Sequence, residues 1–531
     1  MPLSVASRAL STTSRRDHGR PAGPRRVALR LVAASGALAL VLGGCVAGKV
    51  QSTPAEESSG SATAGGATAP SDLYAQTVTW EPCGEDECAT ITAPLDWDDA
   101  TLGTIDLALE RHAATGTDRK GSLLLNPGGP GQSGISFLSS AVSGIFGPEV
   151  LADYDIVAFD PRGTGASTAV RCGGGSSLDA FLTADVEIAS QADLDAARAR
   201  VAEVGAACLD ATGPLLAHVD TVSAAKDLDL MRALLGDEKL NYLGYSYGTF
   251  LGATYAGLFP DKVGRFVLDG ALDPSMTNDE LALQQGEGFE KAMRAYVADC
   301  QAARGCPLTG TVDDGMAQIR QLVDRAKARP LDAGDGHTVN GSLAFYGIIV
   351  TLYDDGSWPY LTTALTEAIT QNTASTLLQL ANIYLDRTPD GSYTSNAMMA
   401  FTAINCLDYP VVSRSYDELL GFAEQVTAVA PTFGDQFALT AGCEAWPETS
   451  ARTPAPIHAT GAGPILVVGT TGDPATPYAW AQALAAQLDS GHLLTWEGEG
   501  HTAYGRGGAC VSDAVEAYLL DGTVPADGTS C

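Results

Sequence analysis

Lys239-Leu240-Asn241-Tyr242-Leu243-Gly244-Tyr245-Ser246-Tyr247-Gly248-Thr249-Phe250-Leu251-Gly252 reads as a short buried strand, a serine flanked by glycines, and a helix opening on small residues. This is the G-x-S-x-G nucleophile elbow in its strand–turn–helix setting. The turn is so sharp that a side chain two residues either side of the serine would strike neighbouring backbone. The strained serine lifts its hydroxyl clear of the sheet. The following helix aims its free N–H groups and positive dipole end at the point where negative charge develops. A bare G-x-S-x-G means little in a chain with 59 glycines. The strand before it and the helix after it give the motif its weight.

Working outward, Thr77–Trp80, Thr90–Leu95 and Thr104–Arg111 alternate like strands and start a sheet as antiparallel edges. Gly121–Leu125 is a short continuous apolar run, as in a strand buried on both faces, and Tyr154–Phe159 reads as another buried strand. Asp220–Leu235 has helical periodicity and leads into the elbow strand, and Val263–Leu268 forms the next strand. Strands alternating with helices predict a mostly parallel α/β sheet. From Pro274 to Pro456 the pattern changes to helical stretches: Glu280–Arg304, Gly315–Ala328, Ser357–Thr370 and Tyr416–Val429. Strand resumes at Pro464–Gly469 and His492–Trp496, with helices over Thr476–Leu488 and Ala509–Leu520. The chain therefore divides into a leader (1–45), a tether (46–72), a first α/β part (73–273), a helical insertion (274–456) and a C-terminal α/β part (457–531).

A serine hydroxyl needs a base to take its proton, and histidine is the usual one near neutral pH. Of the seven histidines, only His501 follows a strand at its carboxyl end and completes the chain order Ser…Asp…His. The orienting acid belongs between them, past another strand end. Asp473, in Gly472-Asp473-Pro474-Ala475-Thr476, fits that place. Asp473 is the expected orienting acid, and the competing reading is a turn or N-cap aspartate before the Thr476 helix. Asp269 also ends a strand and is a rival; it could instead brace the elbow region. The glycine-rich loop Asn126-Pro127-Gly128-Gly129-Pro130-Gly131 lets backbone N–H groups approach a substrate oxygen. The N–H groups of Gly129 and Tyr247 are the candidate oxyanion donors, each typically worth ~3 kcal/mol of transition-state stabilisation. The loop lacks a G-K-[ST] ending, which argues against phosphate binding.

The formal charge is −32, and before Cys45 stand seven arginines against one acid, so the remainder is near −38. That balance argues against nucleic-acid binding. The uninterrupted apolar run Leu31–Leu42 follows basic residues, is short for a membrane span, and ends in Leu42-Gly43-Gly44-Cys45. This ending resembles a bacterial lipobox, which makes Cys45 the expected lipid acceptor and a lipid the only expected membrane attachment. The Ser/Thr/Ala/Gly-rich stretch that follows reads as a flexible tether. Ten further cysteines in a chain with an export-type leader point to disulfides. Short loops favour Cys83–Cys88, Cys172–Cys208, Cys300–Cys306, Cys406–Cys443 and Cys510–Cys531, although spacing alone cannot fix connectivity. A zinc site lacks paired C-x-x-C ligands and a nearby histidine.

The motifs Asn126–Gly131, Phe159-Asp160-Pro161-Arg162-Gly163-Thr164-Gly165, Gly244–Thr249, Gly472-Asp473-Pro474 and Gly500-His501 together resemble the secreted tripeptidyl aminopeptidases of actinobacteria. These belong with the prolyl aminopeptidases among the α/β-hydrolase serine peptidases. The resemblance covers roughly residues 73–531. It implies an α/β-hydrolase core with a large, mainly helical cap inserted before the last strands. It also implies removal of short peptides or single residues from free N-termini, with no metal or organic cofactor. Prolyl aminopeptidases usually have His-Gly-Gly-Pro-Gly in the oxyanion loop; here Pro127 stands in place of the histidine. An exopeptidase of this kind needs an acid near the substrate ammonium, and Asp354, Asp355, Asp408 and Glu444 are the cap's candidates. Some relatives in this branch are esterases, so a carboxylesterase on small or lipid esters is the alternative. A catalytically silent surface-binding lipoprotein is the reading from a different class.

Overall fold

The computed structural model describes residues 70–334, 336–410, 412–438 and 443–531. The leader with Cys45, and the tether as far as residue 69, lie outside the described residues.

Strands β1 (Glu81–Cys83), β2 (Asp86–Pro94) and β3 (Thr104–His112) are followed by β4 (Gly121–Asn126), β5 (Tyr154–Phe159), β6 (Leu240–Tyr245) and β7 (Val263–Asp269). After a small hairpin, β8 (Leu331–Gly334) and β9 (His337–Val339), come β10 (Ile465–Gly472) and β11 (Gly491–Glu499). All but the hairpin form one sheet in the order β1-β2-β3-β5-β4-β6-β7-β10-β11. The first strands pair antiparallel up to β3–β5, and every pair from β5–β4 to β10–β11 is parallel.

Two-residue periodicity divides these strands between two cores. Leu123 and Leu125 of β4 enter one cluster and Leu124 the other, and Ile156 and Ala158 of β5 part from Val157 and Phe159 in the same way. Both faces are covered, which is why these strands read as unbroken apolar runs. From β4 the chain first adds β5 on one side, then returns to β6 on the other. The carboxyl ends of β4 and β6 therefore flank the crevice where open α/β sheets bind their ligands.

One sequence expectation fails at the edge. Thr77–Trp80 is not a strand. The amide of Gln76 takes its place, accepting the Thr92 N–H at 2.8 Å and donating to the Thr92 carbonyl at 2.7 Å. A side chain thus satisfies β2 where a backbone neighbour was expected.

Between β7 and β10 the chain is mainly helical, with a hydrophobic cluster of its own. Three of its helices, Asn278–Ala302, Val312–Ala328 and Tyr416–Val429, open on full capping boxes at Thr277/Glu280, Thr311/Asp314 and Ser415/Glu418. The helices Gly341–Ile349, Ser375–Leu385 and Ala397–Asp408 were not foreseen from the sequence. All five disulfides join the cysteines that short loops favour.

Arg162 has no solvent exposure and meets Asp227 through two bonds of 2.6 Å. Its other N–H groups reach the carbonyls of Leu95, His218 and Pro94, so all five donors are used. The indole of Trp97 donates to the same carboxylate at 2.9 Å. This knot ties the loop after β5 to the helix Thr221–Leu234. Removing one partner strands a buried charge. Asp227→Ala is therefore expected to lower unfolding stability by about 3–5 kcal/mol in urea titrations with disulfides intact. A loss under about 1 kcal/mol would show that the pair holds nothing together.

Candidate active site

Ser246 sits between β6 and the helix Tyr247–Leu258 with φ 56° and ψ −123°. A non-glycine residue in that region costs on the order of 1–3 kcal/mol. Contacts on both sides hold it there. Its N–H donates to the Asp269 carbonyl at 2.9 Å, and its carbonyl accepts the N–H and hydroxyl of Thr249 at 2.8 and 2.6 Å. Both elbow glycines are sterically required. A Cβ on Gly244 would lie 2.4 Å from the Gly248 carbonyl oxygen, and one on Gly248 would lie 2.8 Å from Asn126 Oδ1.

The loop after β4 presses on the elbow. Gly128 has φ +100°, and a Cβ there would stand 2.9 Å from Ser246 Cβ and 3.2 Å from the Tyr247 nitrogen. Gly129 and Pro130 line one cavity with Ser246 and Tyr247. The two candidate oxyanion donors thus flank the serine.

His501 follows β11. Its Nδ1 lies 3.0 and 2.9 Å from the two carboxylate oxygens of Asp473, which follows β10 and has a fully buried side chain. The carboxylate also accepts the N–H groups of Ala475 (2.9 Å), Thr476 (2.8 Å) and Thr502 (3.2 Å), and the Thr476 hydroxyl (3.0 Å). Asp473 is therefore both a turn aspartate and the partner of His501. An acceptor-only carboxylate places the ring hydrogen on Nδ1 and leaves the Nε2 lone pair available. A Cβ on Gly270 would lie 3.1 Å from His501 Cε1, and the preceding residue, Asp269, holds the Ser246 N–H. The imidazole edge thus rests on the end of β7, whose last carbonyl holds the Ser246 N–H. Among the described residues, neither Ser246 Oγ nor His501 Nε2 makes a hydrogen bond; such contacts often form only when substrate is bound.

Asp269 does not bond to His501. Its buried carboxylate accepts the N–H groups of Ala503 (3.0 Å) and Tyr504 (2.7 Å), so it braces the loop carrying the histidine. Sequence reasoning missed three supports. The Thr476 hydroxyl bridges Asp473 and the imidazole, lying 3.2 Å from His501 Nδ1. The Tyr353 carbonyl, from the cap, accepts the His501 N–H at 2.8 Å, and the Tyr353 ring meets the imidazole edge-on at 5.4 Å. Arg506 donates to the His501 carbonyl at 3.0 Å and reaches Asp354 and Asp355 at 2.9 and 3.1 Å. Only Thr476 had a sequence signal, its hydroxyl three residues after the aspartate.

The cavity over Ser246 measures about 270 Å³. Rings of Phe289, Phe345, Tyr353, Tyr384, Tyr409 and Phe437 line it, with the amides of Gln285, Asn405 and Gln436. No charged side chain lines it among the described residues. The four cap acids lie elsewhere. Asp354 and Asp355 pair with Arg506, Glu444 pairs with Arg198, and Asp408 bonds to Thr221.

A doubly covered parallel sheet, an elbow serine at its switch point and a histidine–aspartate pair at neighbouring strand ends define a serine hydrolase. Family models agree: residues 121–312 match "alpha/beta hydrolase fold" and residues 430–531 match "TAP-like protein". The chain is 37% identical over 538 residues to Serine protease Hip1 of Mycobacterium tuberculosis, covering 95% of this chain and 97% of that one. It is 36% identical over 451 residues to Carboxylesterase B of the same species, covering 84% and 86%. With Tripeptidyl aminopeptidase of Streptomyces lividans it shares 32% over 475 residues, covering 86% of each. The chain belongs to this TAP-like family of α/β-hydrolases.

Two outcomes follow from this geometry. Asp473→Asn, which inverts one hydrogen-bond partner of the imidazole, is expected to lower kcat by about 10⁴ with near-UV circular dichroism unchanged. A loss below about tenfold would remove Asp473 as the orienting acid. Burial pushes the Asp269 carboxyl up to about 7 from its ordinary 3.8. The native state then keeps a proton that the unfolded chain releases, so this group's contribution to stability falls as pH rises from about 4 through about 7. The wild-type urea midpoint should decline over that window more steeply than that of Asp269→Asn. Parallel curves would contradict the assignment.

Proposed function

We propose that Ser246, His501 and Asp473 form a catalytic triad. Its chemistry is serine hydrolysis through an acyl-enzyme. The observation carrying this reading is the Asp473–His501 bond beside the strand end that holds Ser246.

His501 Nε2 takes the Ser246 hydroxyl proton as Oγ attacks the substrate carbonyl carbon. Asp473 stabilises the resulting imidazolium. The N–H groups of Gly129 and Tyr247 receive the oxyanion, each worth ~3 kcal/mol where charge develops. Collapse of the tetrahedral adduct breaks the bond to the leaving amine or alcohol, which departs with the proton from His501. Water then attacks the acyl-enzyme, His501 takes its proton, and the acid product leaves with Ser246 restored.

The substrate reading is a peptide cleaved near a free N-terminus, with release of short peptides. Similarity to a serine protease and a tripeptidyl aminopeptidase supports it. One observation favours carboxylester hydrolysis as the second reading: among the described residues, no carboxylate lines the cavity to meet a substrate ammonium. An aromatic, uncharged lining suits a neutral acyl group in either case. The proposed setting is outside the cytoplasm, at a membrane surface through Cys45 or released from it. Five disulfides support an oxidising compartment. No described helix is long and apolar enough to cross a membrane.

Ser246→Ala is expected to abolish turnover and labelling by a fluorophosphonate probe while leaving the fold unchanged. Persistent turnover would remove the central assignment. A panel of tripeptidyl anilides, the same peptides blocked at the N-terminus, and p-nitrophenyl esters, read by mass spectrometry, separates the two substrate readings. Preference for free peptides supports the exopeptidase; equal or better cleavage of blocked peptides and esters supports the esterase.

A further inference from the structure

Asp408 ends the cap helix Ala397–Asp408, yet its carboxylate is buried against the core. Oδ1 accepts the Thr221 N–H at 2.9 Å and Oδ2 accepts the Thr221 hydroxyl at 2.6 Å. Thr221 is the first residue of the helix Thr221–Leu234, whose positive dipole end favours a carboxylate there. The Thr221 oxygen lies 2.5 Å from the Tyr247 hydroxyl. A threonine hydroxyl has one hydrogen. When that hydrogen goes to the Asp408 carboxylate, the oxygen must accept from Tyr247. The chain then runs in one direction, Tyr247 to Thr221 to Asp408, and begins at the residue whose N–H is the proposed oxyanion donor.

Burial of an acid is costly, and an apolar residue would seat the cap equally well. No mechanistic step uses Asp408. What its carboxylate adds is a fixed orientation for Tyr247. Resting on the hydrolase reading, we propose that Asp408 is a positioning residue. Through Thr221 it fixes the Tyr247 side chain, and with it the oxyanion N–H, so that turnover requires the cap to be seated.

The surroundings give this linkage a pH signature. Burial pushes the Asp408 carboxyl up to about 7, opposed first by the two Thr221 hydrogen bonds, helped by Asp220, and opposed also by Arg452, whose guanidinium stacks on Phe250 and Tyr409 and donates to the Asp408 carbonyl. Tyr247 and Tyr409 are the other titratable side chains against it, and burial raises both. Below that pH the protonated acid donates to Thr221, the hydrogen bonds reverse, and the Tyr247 hydroxyl hydrogen is released from the chain. Ionisation of Asp408 as pH rises should therefore increase kcat.

The test uses the full-length protein and three variants: Asp408→Asn, Thr221→Val and Tyr247→Phe. Turnover is followed on whichever p-nitrophenyl ester or peptide anilide the wild type cleaves, alongside the rate of fluorophosphonate labelling. Each variant should lose about tenfold in kcat, with KM within about twofold. The Asp408→Asn/Tyr247→Phe double variant should be no worse than the poorer single. The acid limb of the kcat profile should drop from two ionisations to one in Asp408→Asn. Tyr247→Phe removes one oxygen and no cap contact, so it carries the test if Asp408→Asn fails to fold. Wild type that neither turns over nor labels removes the hydrolase reading and this inference with it. An active wild type with folded variants of unchanged kcat, additive losses, or an unchanged acid limb overturns this inference alone.

Discussion

The positive φ of Ser246 is the constraint on which the rest of the site depends. It is tolerable because the flanking residues are glycines held against backbone: Gly244 against the start of the next helix and Gly248 against Asn126 of the neighbouring strand. The same contacts bring β4 and its glycine loop up to the serine. A larger residue at Gly248 would push the ends of β4 and β6 apart, and one at Gly244 would force the elbow helix off its strand. The strain at one residue, the approach of the oxyanion loop and the place of the crevice are thus a single geometric fact.

Core and cap both contribute to that fact. The loop carrying His501 is held from below by the Asp269 carboxylate and from above by the Tyr353 carbonyl. Arg506 ties the same loop to two cap acids. On the opposite side Asp408 of the cap reaches the helix beside Tyr247. The cap therefore does more than shape the cavity. Its Tyr353 carbonyl and its carboxylates hold the loop and the helix that adjoin the proposed reacting groups.

The chain is strongly acidic, but among the described residues no charged side chain lines the cavity. The four cap acids that the family resemblance nominated for an ammonium site are each occupied: Asp354 and Asp355 by Arg506, Glu444 by Arg198 and Asp408 by Thr221. The cavity presents rings and amides instead. Amide side chains can bond to a peptide backbone or an ester carbonyl without selecting charge. The family relation fixes the class of chemistry as that of a serine hydrolase.

Much of this protein was legible in the chain alone, wherever a local rule had one solution. The elbow needs glycines at fixed offsets, strands buried on two faces read as apolar runs, and amphipathic helices show their own periodicity. Those rules located β4 to β7, β10 and β11, the serine, and the helices at Asn278, Val312 and Tyr416. They missed Gly341–Ile349, which is buried nearly all round and so carries no polar face to mark its period. They also missed the 22-residue helix Gln191–Thr212, where only Leu194, Val201, Gly205 and Cys208 are buried. Chain order singled out His501, but it left Asp473 and Asp269 as rivals, because both end a strand. Only the fold separated them, by turning Asp473 to the imidazole and Asp269 to the backbone two residues beyond it. Tyr353, Arg506 and Asp408 were beyond any local reading, since their partners lie about 150 or more residues away and hydrogen-bond geometry over that distance exists only once the chain has packed.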